Sequence, residues 1–128
     1  MGQTTQNIVL VFVGGGLGSV FRYLAGLWMM RLFPYSWPLG TWLVNMLGSL
    51  LIGILFGLIS NDPRWGEFSK ILLIIGFCGG FTTFSSFSYE NLTLLQQGAF
   101  LQFFLYAVSS LIVGILMVYL GYRLGVYA

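Results

Sequence analysis

The chain has 128 residues, 58% of them hydrophobic and only 6% charged, with a formal net charge of +2 and a mean hydropathy of +0.92. An ordinary soluble domain carries about 25% charged residues, so this chain lacks the polar shell that a small water-soluble core requires. It reads as one membrane domain, which excludes a secreted scaffold, a disordered chain, a nucleic-acid binder and most soluble enzymes.

The first residues, Met1 to Asn7, carry no basic n-region of a signal peptide, and Gln6 stands where a myristoylation motif needs serine or threonine. A membrane span needs about 20 apolar residues. That length predicts a first helix over 8–31, interrupted by Arg22. Pro34 and Pro38 interrupt the next uncharged stretch, so the second helix is predicted over 40–60. Asn61, Asp62 and Pro63 open a short polar loop. A third span is predicted over 70–96 and a fourth over 99–122, with the turn Gln96-Gln97-Gly98 between them. The third span contains Gly79-Gly80 followed by Thr82, Thr83, Ser85, Ser86 and Ser88. Glycines weaken a helix and hydroxyls compete for its backbone groups, so this span is expected to break near 79–83. Broken backbone at membrane depth has to be buried in protein or line a polar cavity. The expected fold is all-α, with four transmembrane helices and no extramembrane domain.

The charges are Arg22, Arg31, Asp62, Arg64, Glu67, Lys70, Glu90 and Arg123. They form no basic cluster for nucleic acid or anionic lipid head groups. Arg64, Lys70 and Arg123 oppose Arg31 across the predicted topology, a weak bias compatible with insertion both ways round. No histidine is present for a metal site or proton relay, and Cys78 is the sole cysteine, which precludes an intrachain disulfide.

Several polar residues fall inside the predicted spans. Arg22 is an intramembrane charge, and such charges mark functional sites by default. It either forms an electropositive vestibule for anions, or it snorkels or caps a neighbouring carbonyl. Thr41, Asn45 and Ser49 recur at i, i+4 and i+8 and share a face. Asn45 serves either as hydrogen-bonding glue between helices or as an amide donor facing a polar path. Phe103, Tyr106 and Ser110 make a second stripe that continues into Gly114. Phe84 and Phe87 lie on one face that Asn91 completes; they are either packing residues or ring edges with partial positive charge able to meet an anion. Glu90 sits just beyond, on a neighbouring face. The spacings Gly14/Gly18, Ser49/Gly53/Gly57 and Gly76/Gly80 permit close helix approach and point to oligomer contacts.

Gly79-Gly-Phe-Thr-Thr-Phe-Ser-Ser-Phe-Ser-Tyr-Glu90 resembles the signature of the Fluc/CrcB fluoride ion channels. Gly14-Gly-Gly-Leu-Gly-Ser-Val-Phe-Arg-Tyr in the first helix and Gly40-Thr-Trp-Leu-Val-Asn-Met-Leu-Gly-Ser in the second support the resemblance, which covers the whole chain. It implies an antiparallel, dual-topology homodimer in the bacterial inner (plasma) membrane, with two pores that let fluoride leave the cytoplasm passively. It further implies a structural sodium ion on the dimer axis, held by backbone carbonyls that match Gly79 and Thr82. Asn45 matches the family's pore asparagine, Phe84 and Phe87 its paired phenylalanines, and Tyr106 and Ser110 its fourth-helix polar track. A further hydroxyl of that track in some members is Gly114 here, leaving Thr41 as a substitute donor. The partners so implied are fluoride, sodium, the lipid bilayer and a second copy, with no nucleic acid and no enzymatic activity. A small multidrug exporter, also a four-helix dual-topology dimer, needs a carboxylate in its first helix; this chain has Arg22 there and no acid before Asp62. A third reading is a non-transporting assembly protein whose polar stripes only join helices.

Overall fold

In the computed structural model, which describes residues 2–34 and 38–128, the first helix covers Gly2–Leu32. It starts well before residue 8 because polar residues cost only tenths of a kcal/mol each once a helix is nucleated. The second helix, Leu39–Asn61, follows Pro38, a residue tolerated at a helix start because no N–H is required of it there. Residues 35–37 of the proline-bounded connection lie outside the described residues. At the far end Asp62 is extended, and its carboxylate accepts from the Arg64 amide at 2.9 Å. That contact starts the short turn Pro63–Trp65, and Gly66 (φ 47°) makes the corner into the third span.

The proximal half of the third span is helical from residue 66 to 81. Its middle, Lys70–Cys78, has π-helical turns, in which the Gly79 amide reaches Ile74 O five residues back. The distal half is the helix Phe84–Gln96. Gly98 (φ 70°) closes the turn into the last helix, Phe100–Tyr127. No strand occurs among the described residues. Four stretches, Gly2–Leu32, Leu39–Asn61, Pro63–Gln96 and Phe100–Tyr127, are long and apolar enough to cross a membrane.

Large apolar side chains cover the outside: Phe12 is 80% exposed and Leu101 72%. Such a surface suits hydrocarbon. Inside, a small cluster of Leu55, Ile74 and Cys78 is flanked by Leu51, Ile52 and Phe77. Glycines do most of the joining. A Cβ on Gly14 would collide with Leu72 O and one on Gly18 with Phe77 O, so the first helix lies directly against the third span. Likewise Gly53 and Gly57 meet the carbonyls of Val118 and Tyr122, while Gly121 and Gly125 meet those of Leu50 and Ile54. Residue numbers rise together along both seams, so the paired helices run parallel, and spans adjacent in sequence run in opposite directions. The glycine spacings expected at oligomer contacts are thus engaged within one chain. Lipid gives no hydrophobic drive for helix association, and close backbone contact takes over that role.

Candidate functional site

Helical geometry stops after Phe81 and resumes at Phe84; Thr82 (φ −81°, ψ 156°) and Thr83 (φ −147°, ψ 119°) between them are extended. Gly79 and Gly80 themselves remain helical. A helix that stops leaves its last carbonyls without N–H partners, and each is handled differently here. Cys78 O accepts from the Thr82 amide at 3.0 Å and from the Thr82 hydroxyl at 2.8 Å. Gly80 O accepts from Arg22 Nε at 3.1 Å, with Ser19 Oγ at 3.5 Å.

Asn45 of the second helix reaches the remaining gap. Its Oδ1 accepts from the Thr83 amide at 2.8 Å, and its Nδ2 donates to Thr83 O at 3.0 Å. In an uninterrupted α-helix the Thr83 N–H would go to Gly79 O. Asn45 takes that N–H, so the Gly79 carbonyl has lost its helical donor. Nothing stands within 4 Å of where a side chain on Gly79 would begin. The Thr83 hydroxyl accepts from the Ser86 amide at 3.2 Å and caps the distal half.

An open-sided groove of about 640 Å³ runs beside this interruption. It gathers Asn45, Gly79, Thr82, Phe84, Phe87 and Ser110, six of the residues singled out from the sequence. The Phe84 and Phe87 rings are 5.7 Å apart, and Phe84 is 79% exposed in a single copy. Ser49 also lines the groove, and its hydroxyl lies 3.8 Å from where a Cβ on Gly114 would stand. A serine of the second helix therefore occupies the level at which the last helix offers only hydrogen. The polar stripe held the signal for Ser49; the facing glycine is visible only in three dimensions.

Tyr106, Thr41 and Glu90 form a separate cluster. Tyr106 is fully buried, and its hydroxyl donates to Glu90 Oε2 at 2.6 Å. Thr41 Oγ1 donates to Glu90 Oε1, also at 2.6 Å. Such lengths belong to hydroxyls bound to a carboxylate. The Tyr106 ring lies 5.0 Å from that of Phe87, so the cluster backs onto the groove without lining it. Arg22 and Thr41 line a second cavity of about 370 Å³, together with Ser19, Thr83 and Ser86. Arg22 thus caps a carbonyl and borders a cavity at once. Asn91 is buried, with Nδ2 donating to Phe87 O at 2.9 Å and Oδ1 lacking a partner.

The family model described as "CrcB-like protein, Camphor Resistance (CrcB)" matches residues 9–122. The chain belongs to the CrcB family. Among CrcB relatives it is similar to the fluoride-specific ion channel FluC of Gloeothece citriformis, with 50% identity over 115 residues, 90% of this chain and 93% of the relative. Similarity to the FluC of Thermus thermophilus is 46% over 120 residues, 94% of each chain. To that of Agrobacterium fabrum it is 45% over 119 residues, 93% of this chain and 95% of the relative. These CrcB relatives are channels by name and not enzymes. With its four apolar spans, the chain is a multi-pass membrane protein.

Proposed function

We propose that the chain is a fluoride-selective ion channel that passively exports fluoride from the cytoplasm across the bacterial inner membrane. The observation that carries this reading is the convergence of Asn45, Ser49 and Ser110 with the rings of Phe84 and Phe87 on one groove. Fluoride is small and tightly hydrated, so a pathway must replace its water with donors in a narrow space. The hydroxyls of Ser49 and Ser110 are donors. Asn45 uses one amide hydrogen on Thr83 O and has a second. Ring edges carry partial positive charge without the cost of burying a cation. The groove is open along one side and exposes Phe84, which leaves room for a second copy to close it. Two antiparallel copies would enclose two such pathways. Rising residue numbers along both glycine seams put the ends of the chain on one face, and the weak charge bias lets the copies insert oppositely.

A structural sodium ion on the axis of that dimer fits the donors present. Gly79 O has lost its helical donor and sits at the negative end of a helix. Thr82 lines the same groove, so the Gly79 and Thr82 carbonyls of two copies would supply four oxygens. Backbone oxygens are the donors this reading assigns to the ion; among the described residues no group of three acidic, histidine or cysteine side chains stands ready for a metal. A hard monovalent cation would lock the interrupted helices of both copies together.

Liposomes reconstituted with the full chain and loaded with fluoride test the function: efflux through an ion-selective electrode is expected for fluoride and not for chloride. Absence of fluoride efflux from assembled dimers overturns it. A cysteine placed at the N-terminus, with Cys78 replaced, is expected to react with impermeant reagents from both sides of the membrane. Reaction from one side alone overturns the antiparallel arrangement.

A further inference from the structure

Arg123 lies on the last helix, one turn after Tyr119 and one turn before Tyr127. Its Nη1 donates to the Tyr119 hydroxyl and its Nη2 to the Tyr127 hydroxyl, both at 3.2 Å. The guanidinium carbon is 6.0 Å and 5.1 Å from the two ring centroids, so one cation is held between two aromatic rings. Gly121 and Gly125 turn the opposite side of the same helix onto Leu50 and Ile54. At 3.6 residues per turn the Arg123 stripe is about 160° away from that seam. Tyr119 is 59% and Tyr127 75% exposed. Among the described residues the sole ion pair is Arg64–Asp62, so no carboxylate neutralises Arg123. The Asn61 side chain donates to Val126 O, which sets this turn beside the polar loop that ends the second helix. The cluster therefore stands at the depth where a span meets the head groups.

We propose that Arg123, Tyr119 and Tyr127 form a binding site for the phosphate of an anionic phospholipid. A guanidinium has five N–H donors; two go to the tyrosine oxygens and the rest are left to a ligand, while each tyrosine hydroxyl keeps its own hydrogen to donate. These donors are available to the non-bridging oxygens of a phosphodiester, which a guanidinium fork suits better than an ammonium. The exposed Leu116 and Leu120, toward the membrane interior, offer apolar surface to an acyl chain. A cationic lipid head would meet the like charge of Arg123. No run of basic residues takes part, so charge patterning along the sequence gives no sign of the site. The assignment is independent of conduction, since none of these residues lines the groove.

The full chain in mild detergent is mixed with equal amounts of dioleoyl phosphatidylglycerol and dioleoyl phosphatidylcholine, and lipid adducts are counted by native mass spectrometry. The anionic lipid is expected at about fivefold the zwitterionic population, the preference that one arginine gives at an anionic surface. Arg123→Gln is expected to abolish the preference, and Arg123→Lys and the Tyr119→Phe/Tyr127→Phe pair each to reduce it. The phenylalanine pair keeps both rings and serves if Arg123→Gln fails to elute as wild type. Equal adducts in wild type, a preference retained in Arg123→Gln, or the full wild-type preference in the phenylalanine pair overturn the site. An Arg123→Lys variant equal to wild type reduces it to a point charge and overturns the fork. Displacement of the lipid by excess inorganic phosphate overturns the lipid as its occupant.

Discussion

Tyr106→Phe removes one hydroxyl and keeps the ring against Phe87, so it removes the bond to Glu90 Oε2 together with that hydroxyl's contact with Thr41. Hydrogen bonds to charged groups contribute about 1.5–3 kcal/mol in water-soluble proteins, whereas bonds between membrane helices average about 0.6 kcal/mol and reach about 1.7. The 2.6 Å length and complete burial of Tyr106 place this bond at the upper end of the membrane range. We therefore expect a loss of about 1.5 kcal/mol. In a Glu90→Met background there is no carboxylate left unpaired, and the same substitution is expected to cost under about 0.5 kcal/mol. Unfolding in graded SDS, followed by tryptophan fluorescence, measures all four corners of the cycle. Fluoride efflux from the same preparations adds a second comparison: if Tyr106 acts through Glu90, Glu90→Met loses the same flux with or without Tyr106→Phe. Equal stability losses in both backgrounds, or a further drop in flux from Tyr106→Phe on top of Glu90→Met, would refute the anchoring role.

Asn45→Asp keeps an acceptor for the Thr83 amide but replaces the donor with negative charge. At about 4 Å and an effective dielectric of 20 that charge opposes an anion by about 4 kcal/mol, so efflux should fall by roughly three decades; wild-type efflux would remove Asn45 from the pathway. Arg22→Gln takes the Nε donor from Gly80 O and should lower flux equally at low and high salt. A loss confined to low salt would instead assign Arg22 to attracting anions. Phe84 is exposed in the single copy, so Phe84→Ile should leave monomer stability within about 0.5 kcal/mol while cutting flux strongly. Phe87→Ile also disturbs the contact with Tyr106 and should lower both. Full flux in both isoleucine variants, read by electrode, would return these rings to a packing role.

Much of the fold was legible because lipid imposes a crude rule: a span needs length and apolar character, and both are visible in one dimension. The four spans follow from that rule; the interruption at Thr82 and Thr83 was signalled instead by the run of glycines and hydroxyls, although Gly79 and Gly80 stay helical. What hydropathy lacks is any measure of partnership. Glu90 is 49 residues from Thr41 and 16 from Tyr106, and no periodicity joins them. Asn45 was legible as a polar residue in an apolar helix, yet that it takes the Thr83 amide depends on where the third span stops. The glycine spacings announced close approach but not to which helix. The wide turns of Lys70–Cys78 left no trace in composition, because their residues are ordinary helix and strand formers.

The two glycine seams join the first span to the third and the second to the fourth, so the pairings interleave along the chain. A hairpin of the first two spans leaves Gly14, Gly18, Gly53 and Gly57 without their carbonyl partners. During synthesis neither seam can shut until a later span has entered the membrane. The second span has to wait, held by the insertion machinery or by lipid, until the last one emerges. A chain truncated after Gln96 would have its first seam closed and its second permanently open. Assembly of this small protein is accordingly stepwise, and its last step waits for the final helix.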